Sequence, residues 1–275
     1  MFLVLTNNDD ATAMSVYKEL CARQGADRVA FLNDKELSVG TGWSYTHDNN
    51  ITRTTLRLRD GRCVTSDDIT AVFNRLRYLD SANFVTFDVR DREYGVGEMF
   101  ALLLSWLTSL RCPVVNRAGV RGFSYSNRTI LEWFKLAGEV GLPTRAAHFT
   151  TNARLMSLPG FSAFQPLAGM ALSQVANFSP VMSSIVGTAP TVWLEPVRDE
   201  TQRLLVIGDV AIGEPKSMAG PCLALAERAG ASLMEFIFVR STTRQEDEWR
   251  CGWINPLPQL SDAEISAVTS LLEAG

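Results

Sequence analysis

One hydrophobic run ends in a residue type that can bind a metal. Asn255 follows Trp253 and Ile254 and precedes Pro256 in the stretch GWINPLPQL. An asparagine at such a strand end can give its amide oxygen to magnesium, which prefers oxygen ligands. No carboxylate directly precedes it here. Three interpretations therefore stay open: a metal site, a metal site that has lost its acid, or a strand followed by a turn.

Residue types that usually build zinc or triad sites are scattered. The five cysteines form no CxxC pair, and His47 and His148 lie near no cysteine and in no HxxxH motif. These spacings argue against a zinc site and a histidine-based triad. We expect reduced thiols, and we expect both histidines to be surface or packing residues.

Lysines are also rare. Lys18, Lys35, Lys135 and Lys216 are the only lysines among 26 basic residues, which leaves 22 arginines (26 − 4). A reaction that requires lysines at fixed places therefore has few candidates. Arginine can still clamp phosphate in a bidentate manner.

Two common motifs of nucleotide binding and hydrolysis are missing. No GxGxxG follows the first apolar run, and its TNNDD end offers acids where a phosphate would lie. No GxSxG elbow occurs either. A dinucleotide-binding protein and an α/β-hydrolase are therefore disfavoured.

The overall composition excludes further classes. The chain has 275 residues, 46% of them apolar, and a formal charge of −4. It should fold, and it lacks the basic face that phosphate neutralisation requires, so we expect no nucleic-acid partner. No window reaches about 18 uninterrupted apolar residues, and no basic region precedes the first apolar run, so we expect no membrane span and a cytoplasmic location.

The elements that must position these residues alternate between strands and helices. The run 1–6, the periodic stretch 11–24 and the run 28–34 predict a strand, a helix and a second strand, a β-α-β unit. Alternation over 51–65, with a turn at Asp60-Gly61, predicts a hairpin. Further helices are expected in the stretches DREYGVGEMFALLLSWLTSLR, NRTILEWFKLAGEVG, GPCLALAERAGA and SDAEISAVTSLLEAG, and further strands around 70–73, in PVVNRAG, on both sides of Gly208-Asp209, in SLMEFIFVRS and in EWRCGWINP.

Two local signals refine this pattern. Ser261 followed by Glu264 predicts a capping box at the start of the last helix. Residues 155–194 contain no charged residue, yet Gly, Pro, Ser and Gln interrupt them too often for a membrane helix. We expect this segment to be a buried connector or an interface, because it is too apolar to stay solvated.

This order of elements resembles the ATP-grasp superfamily, and within it the peptide-modifying ligases of the graspetide (microviridin) type. The stretch MFLVLTNNDD is similar to the family's opening strand and Asn/Asp loop. In RLRDGRCVTSDDITAVFNRLR, the residues Phe73, Arg75 and Arg77 match an aromatic strand end followed by two arginines. The most specific match is NRTILEWFKLAGEVGLPTRAAHFTTN, similar to the helix and Thr-Asn loop of such ligases.

The resemblance continues nearer the C-terminus. TVWLEPVRDETQRLLVIGDVAIG is similar to the family's Gln-Glu-x-Val and Arg-x-x-x-x-Gly-Asp strands, and the stretch ending in GWINPLPQL is similar to its last metal-binding strands. Together the matches cover most of 1–155 and 190–260.

The resemblance implies an α/β, ATP-grasp-like fold. It implies an N-terminal, Rossmann-like pre-ATP-grasp lobe over 1–125 and a truncated C-terminal ATP-grasp lobe over 126–275 with the uncharged connector 155–194. Members of the family activate a carboxylate as an acyl phosphate with ATP and magnesium. Two ATP-contacting lysines usually lie between the Thr-Asn loop and the Gln-Glu strand, and 155–194 contains none.

The resemblance also implies roles for individual residues. The family's last strand carries Glu-x-Asn, which corresponds here to Trp253, Ile254 and Asn255, while its earlier acid falls near Glu235. One acid and one amide make a poor magnesium site. We therefore expect no metal site, only the vestigial pair Glu235 and Asn255. The candidate ligand-binding residues are Arg75, Arg77, Glu195, Arg203 and Asp209, with Glu195 and Arg203 equally compatible with structural ion pairs.

Two functions follow from these expectations. The first is a degenerate ATP-grasp-like protein that needs no cofactor and does not ligate. It binds a precursor peptide or a small molecule, with a homodimeric assembly and an accompanying biosynthetic enzyme as expected partners. The alternative is a minimal ATP-dependent carboxylate-amine ligase that uses ATP and magnesium, and that relies on arginines for phosphate. Catalytic residues stay unassigned in both.

Overall fold

The computed structural model describes residues 1–7, 9–48, 51–119, 122–124, 128–150, 162–164, 191–242 and 248–275. The chain divides into two compact units. Unit 1 consists of Met1–Ser126 together with Gln259–Gly275, and unit 2 is Asn127–Pro258. The predicted division places all of 126–275 in one lobe, so the C-terminal helix is the point of difference.

A parallel sheet forms the centre of unit 1. Its strands are β1 (Phe2–Thr6), β2 (Val29–Asn33), β6 (Ala71–Asn74) and β7 (Val114–Val115), in the order β2-β1-β6-β7. All three pairings are parallel. Every residue of β1 is buried, as expected for a parallel strand covered on both faces.

Helix α1 (Ala11–Gln24) connects β1 to β2, which confirms the predicted β-α-β order. The predicted hairpin is present within a second, antiparallel sheet of β3 (Gly42–Asp48), β4 (Ile51–Arg57) and β5 (Cys63–Thr65). Helix α2 (Arg92–Ser109) adds Trp106 and two leucines to the core.

The last helix packs within unit 1. Helix α5 (Asp262–Ala274) begins at the capping box predicted from Ser261 and Glu264. It contacts α1, where Arg23 forms an ion pair with Glu273 at 3.2 Å. The residues 259–275 therefore belong with the N-terminal sheet, because their apolar side chains complete its core.

Unit 2 begins with α3 (Ile130–Glu139), which starts at a capping box formed by Thr129 and Glu132. Three short strands then pair in the order β8-β10-β9: β8 (Ala147–Thr150), β9 (Ser162–Phe164) and β10 (Thr191–Leu194). The expected connector 155–194 lies outside the described residues apart from 162–164 and 191–194.

A four-stranded antiparallel sheet makes up the rest of unit 2. Its strands are β11 (Val197–Ile207), β12 (Val210–Gly213), β13 (Leu233–Ser241) and β14 (Arg250–Asn255), in the order β12-β11-β13-β14. Helix α4 (Ala219–Ala229) shares a core with one face of this sheet. Across the parts of the chain that are described, no helix combines the length and apolarity that a membrane crossing requires.

Candidate functional site

The face of the β11-β13-β14 sheet opposite the α4 core carries polar side chains. Glu235 on β13 pairs with Asn255 on β14, and in the next row Ile237 pairs with both Arg203 and Trp253. Side chains alternate between the two faces of a strand. The neighbouring residues Leu204, Phe236 and Ile254 therefore point into the core, where all three are buried.

A bulge at Gly252 sets the direction of Trp253. The register shifts between Ile237 and Phe238, so that Cys251 pairs with Phe238 in the core while Trp253 pairs with Ile237 on the polar face. An extra residue in one strand reorients the side chains beyond the bulge. Glycine is needed there because a Cβ on Gly252 would lie 2.9 Å from Val239 Cγ2.

Three of the predicted residues meet on this face. Arg203 Nε donates to Glu235 Oε1 at 2.6 Å, and Asn255 Nδ2 donates to Glu235 Oε2 at 3.0 Å. The remaining atom of the amide, Asn255 Oδ1, accepts from the backbone N–H of Leu257 at 3.0 Å. Both carboxylate oxygens and the amide oxygen are thus engaged by hydrogen-bond donors of the protein.

This set of donors does not fit a magnesium ion. Mg²⁺ requires near-octahedral oxygen ligation, usually with one or two carboxylates supplying part of it. The face offers one carboxylate, held between Arg203 and Asn255, and Trp253 contributes no oxygen. Among the described residues, no group of three or more His, Cys, Asp or Glu side chains is placed to hold a metal.

Arg145, which was not among the predicted site residues, covers Trp253. The Arg145 guanidinium carbon lies 4.7 Å from the centre of the indole ring, a cation–π geometry. The segment 143–145 runs beside β14, since Arg145 N donates to Cys251 O and Cys251 N donates to Pro143 O. The isolated arginine in the stretch GLPTRAAHF was the signal that could have revealed it.

Glu195, directly after β10, is a buried acid close to Arg145. It is 3% exposed, and its oxygens accept from Ala146 N at 3.1 Å and from Ser241 Oγ at 2.6 Å. Burial lowers the pKa of Arg145 to about 10, while the Glu195 carboxylate and, less strongly, Cys251 act in the opposite direction. Arg145 is therefore charged at neutral pH. Glu195 joins the loop before β8 to the end of β13.

In unit 1, the predicted arginine pair is split between two roles. Arg75 Nε lies 2.7 Å from Asp10 Oδ2, and both side chains are almost fully buried. Asp10 also caps α1 by accepting from Ala13 N at 3.0 Å. Arg77 is half-buried, and its backbone N–H donates to Asn7 Oδ1 at 2.8 Å. Arg75 thus holds the loop after β1 in place.

A shallow cavity of about 370 Å³ opens beside this loop, at the carboxyl ends of β1 and β2 and the start of α1. This edge of a parallel sheet is where α/β proteins commonly bind ligands. Its lining is formed by Asn7, Asp9, Asp10, Ala11, Met14, Phe31 and Asn33.

The last candidate lies away from these clusters. Asp209 occupies the exposed turn between β11 and β12, where the predicted Gly-Asp hairpin is present. Lys216 is exposed in the short 3-10 turn before α4. Neither side chain reaches the carboxylate of Glu235 through any contact within the described residues.

The chain is similar in fold to solved structures, but its sequence matches no family model. No family model and no curated protein matches the chain. Among solved structures, a RiPP-associated ATP-grasp ligase of Chryseobacterium gregarium, in complex with ADP and a leader and core peptide, is 15% identical with a TM-score of 0.75. That alignment covers 99% of this chain and 96% of the ligase.

Two further solved structures also have a fold similar to that of this chain. The macrocyclase MdnC of Microcystis aeruginosa MRC, bound with precursor peptide MdnA, is 15% identical with a TM-score of 0.77, over 100% of this chain and 99% of MdnC. The ATP-grasp ligase PsnB, complexed with minimal precursor, Mg and ADP, is 17% identical with a TM-score of 0.72, over 99% of this chain and 97% of PsnB. The expected α/β architecture is confirmed, and the chain has the fold of the RiPP-associated ATP-grasp ligases.

Proposed function

We propose that this protein binds a peptide in RiPP-type biosynthesis and does not ligate it. The observation that carries the proposal is Trp253 on the polar face of β14, covered by Arg145, beside a Glu235 carboxylate whose two oxygens are bonded to Arg203 and Asn255. The resemblance to ATP-grasp ligases implies an acid at the position of Trp253, and the neighbouring acid, Glu235, is already bonded to Arg203 and Asn255.

The negative charge that develops during ligation is the physical reason for this proposal. Transfer of a phosphoryl group to a carboxylate concentrates negative charge that magnesium ions and cationic side chains must offset. On this face, one carboxylate and one amide are bonded to each other and to Arg203. Of the lysines in unit 2, Lys135 is exposed on α3 and Lys216 is exposed on the turn before α4, and no contact among the described residues links either side chain to Glu235. Nucleotide chemistry therefore lacks its usual electrostatic support.

The peptide partner is supported by the solved structures of the same fold. MdnC is bound with a precursor peptide, and the Chryseobacterium ligase is in complex with a leader and a core peptide. A small-molecule ligand is the other candidate for this chain. We further propose a cytoplasmic homodimer that acts beside a biosynthetic enzyme. The uncharged sequence 155–194 supports an interface with a second copy, and sedimentation of a monomer alone would contradict it.

The test uses a precursor peptide encoded near the gene, labelled with a fluorophore. We expect its anisotropy to rise on titration with the full chain, to the same extent with and without Mg-ATP, and we expect no ADP release. Arg228→Ala, which removes an exposed arginine paired with Glu139, is a matched control for general effects of charge loss. Release of ADP that depends on the peptide would contradict the proposal.

A minimal carboxylate-amine ligase is the second candidate. It is favoured by one observation, the meeting of Arg203, Glu235 and Asn255, which match the family's phosphate and metal positions. In that case ATP and magnesium would be its cofactors, and Arg203→Ala or Glu195→Ala would abolish ADP release while Arg228→Ala would not. Activity that persists in both site variants would remove these assignments.

A further inference from the structure

Arg145 is a buried cation whose side-chain N–H groups find no acceptor among the residues that the structure describes. The residue is 4% exposed, and within this part of the chain its Nε is enclosed and has no hydrogen-bond partner. A guanidinium carries five N–H donors. Within the described residues the Arg145 side chain donates none of them, and it interacts instead with the Trp253 ring and the charge of Glu195.

Such a group needs an explanation. Buried polar groups almost always find a partner, and an unpaired one often marks a place where a ligand, ion or water is missing. The terminal nitrogens of Arg145 are not among the enclosed atoms without partners, so they keep a small exposure. Trp253 packs against one face of the Arg145 guanidinium, which fixes the orientation of the N–H groups at the edge of the guanidinium.

We propose that Arg145 and Trp253 form a binding site for a carboxylate group, with the guanidinium as the fixed positive charge. An arginine presents parallel N–H groups that match a carboxylate in a bidentate manner. The indole face and the apolar residues that pack against it, Phe134, Val192 and Leu194, exclude water from one side. The site needs no metal ion.

The nearby Glu195 selects the charge of the ligand. Its carboxylate lies close enough to act on Arg145, and its own oxygens are bonded to Ala146 N and Ser241 Oγ. The pair Arg145 and Glu195 is therefore neutral overall. A singly charged carboxylate gains from the N–H donors of Arg145, whereas a doubly charged phosphate is repelled more strongly by Glu195.

The inference deepens the proposed function, since it rests on a ligand that occupies this face of unit 2, but its test uses neither peptide nor nucleotide. The readout is the Nε–Hε resonance of Arg145 in protein labelled with ¹⁵N-arginine, identified by its absence in Arg145→Lys. Enclosure of Nε slows proton exchange with water, which makes this resonance observable. The probes are sodium acetate, sodium phosphate and sodium chloride at equal ionic strength.

We expect acetate to shift the resonance in a saturable manner, phosphate to shift it less, and chloride to leave it in place. Arg145→Lys keeps the charge but loses the planar pair of donors. Quenching of tryptophan fluorescence by acetate should therefore be at least about tenfold weaker in this variant. Arg228→Lys, on the surface, should leave both readouts unchanged.

Equal shifts with acetate and chloride would overturn the proposal, and a larger shift with phosphate would overturn the choice of a carboxylate. Trp253→Phe provides a second variant with an aromatic face, and full acetate affinity in both variants would also overturn it. Failure of the precursor peptide to bind would contradict the proposed function alone, because the acetate result stands without it.

Discussion

The substitution Asn255→Asp tests whether the Glu235 carboxylate is held by hydrogen bonds in place of a metal. In the native chain Asn255 Nδ2 donates to Glu235 Oε2 at 3.0 Å, and Asn255 is 6% exposed. The substitution keeps the shape and the acceptor for Leu257 N but replaces the donor by a second carboxylate.

Two energies determine how much the Asn255→Asp substitution destabilises the protein. A hydrogen bond to a charged acceptor contributes about 1.5–3 kcal/mol, and it is lost. Two like charges about 3 Å apart repel by up to about 5 kcal/mol at an effective dielectric constant near 20. Arg203 offsets part of this repulsion through its own bond to Glu235. We expect the free energy of unfolding at neutral pH to fall by about 3 kcal/mol or more.

The assay is urea unfolding of both proteins with and without magnesium chloride. The native protein should unfold at the same urea concentration in both solutions, because its donor set does not fit Mg²⁺. The Asn255→Asp variant should recover stability on addition of magnesium or on acidification, since each relieves the repulsion. Ser217→Asp, which adds the same charge at an exposed position, is the control. Stabilisation of the native protein by magnesium would show that the native donor set binds the ion.

Three further predictions concern the framework of the two units. Asp10→Asn should keep the cap of α1 but remove the charge that pairs with buried Arg75, and so cost about 3–5 kcal/mol in urea unfolding. Asp60→Asn, which weakens a surface pair with Arg62, should cost clearly less, and equal costs would contradict the contribution of the buried pair. Burial raises the pKa of Cys222 to about 12. In the unfolded chain the pKa of this thiol is near its ordinary value of about 9, so the free energy of unfolding should fall by about 1.4 kcal/mol between pH 8 and pH 10 because of Cys222. Cys222→Ala should remove this part of the decline, and an unchanged decline in the variant would contradict the raised pKa. Thr129→Ala removes one half of the capping box of α3 and should lower the free energy of unfolding by about 1 kcal/mol, and no change would show that the cap is not stabilising.

Local elements were the predictable part of the fold. The capping box at Ser261 and Glu264 and the hairpin turn at Gly208-Asp209 depend on residues a few positions apart, and both are present. The assignment of 259–275 to unit 1 could not be predicted from the helix itself. Its partner α1 lies at the other end of the sequence, and a cap defines where a helix starts without defining what it packs against.

The residues of the candidate site, like the elements of the fold, were predicted only in part. The resemblance led to Arg203, Glu235 and Asn255, and these meet because the strand register brings their rows together. Arg145 was missed because its contact with Trp253 requires a bulge at Gly252 and a loop that runs beside β14. Neither the bulge nor the position of this loop produces a periodic pattern in the sequence. Whether these residues bind a ligand stays a prediction.

The melting temperature of the full chain with and without Mg-ATP tests most directly whether this protein binds a nucleotide. A nucleotide present at about a hundred times its dissociation constant would stabilise the native state by about 2.7 kcal/mol, which corresponds to about 5 °C in the melting temperature of a protein of this size. We expect an unchanged melting temperature, because the Glu235 carboxylate is bonded to Arg203 and Asn255 and Trp253 supplies no oxygen ligand. A clear rise with Mg-ATP that disappears without magnesium would contradict it.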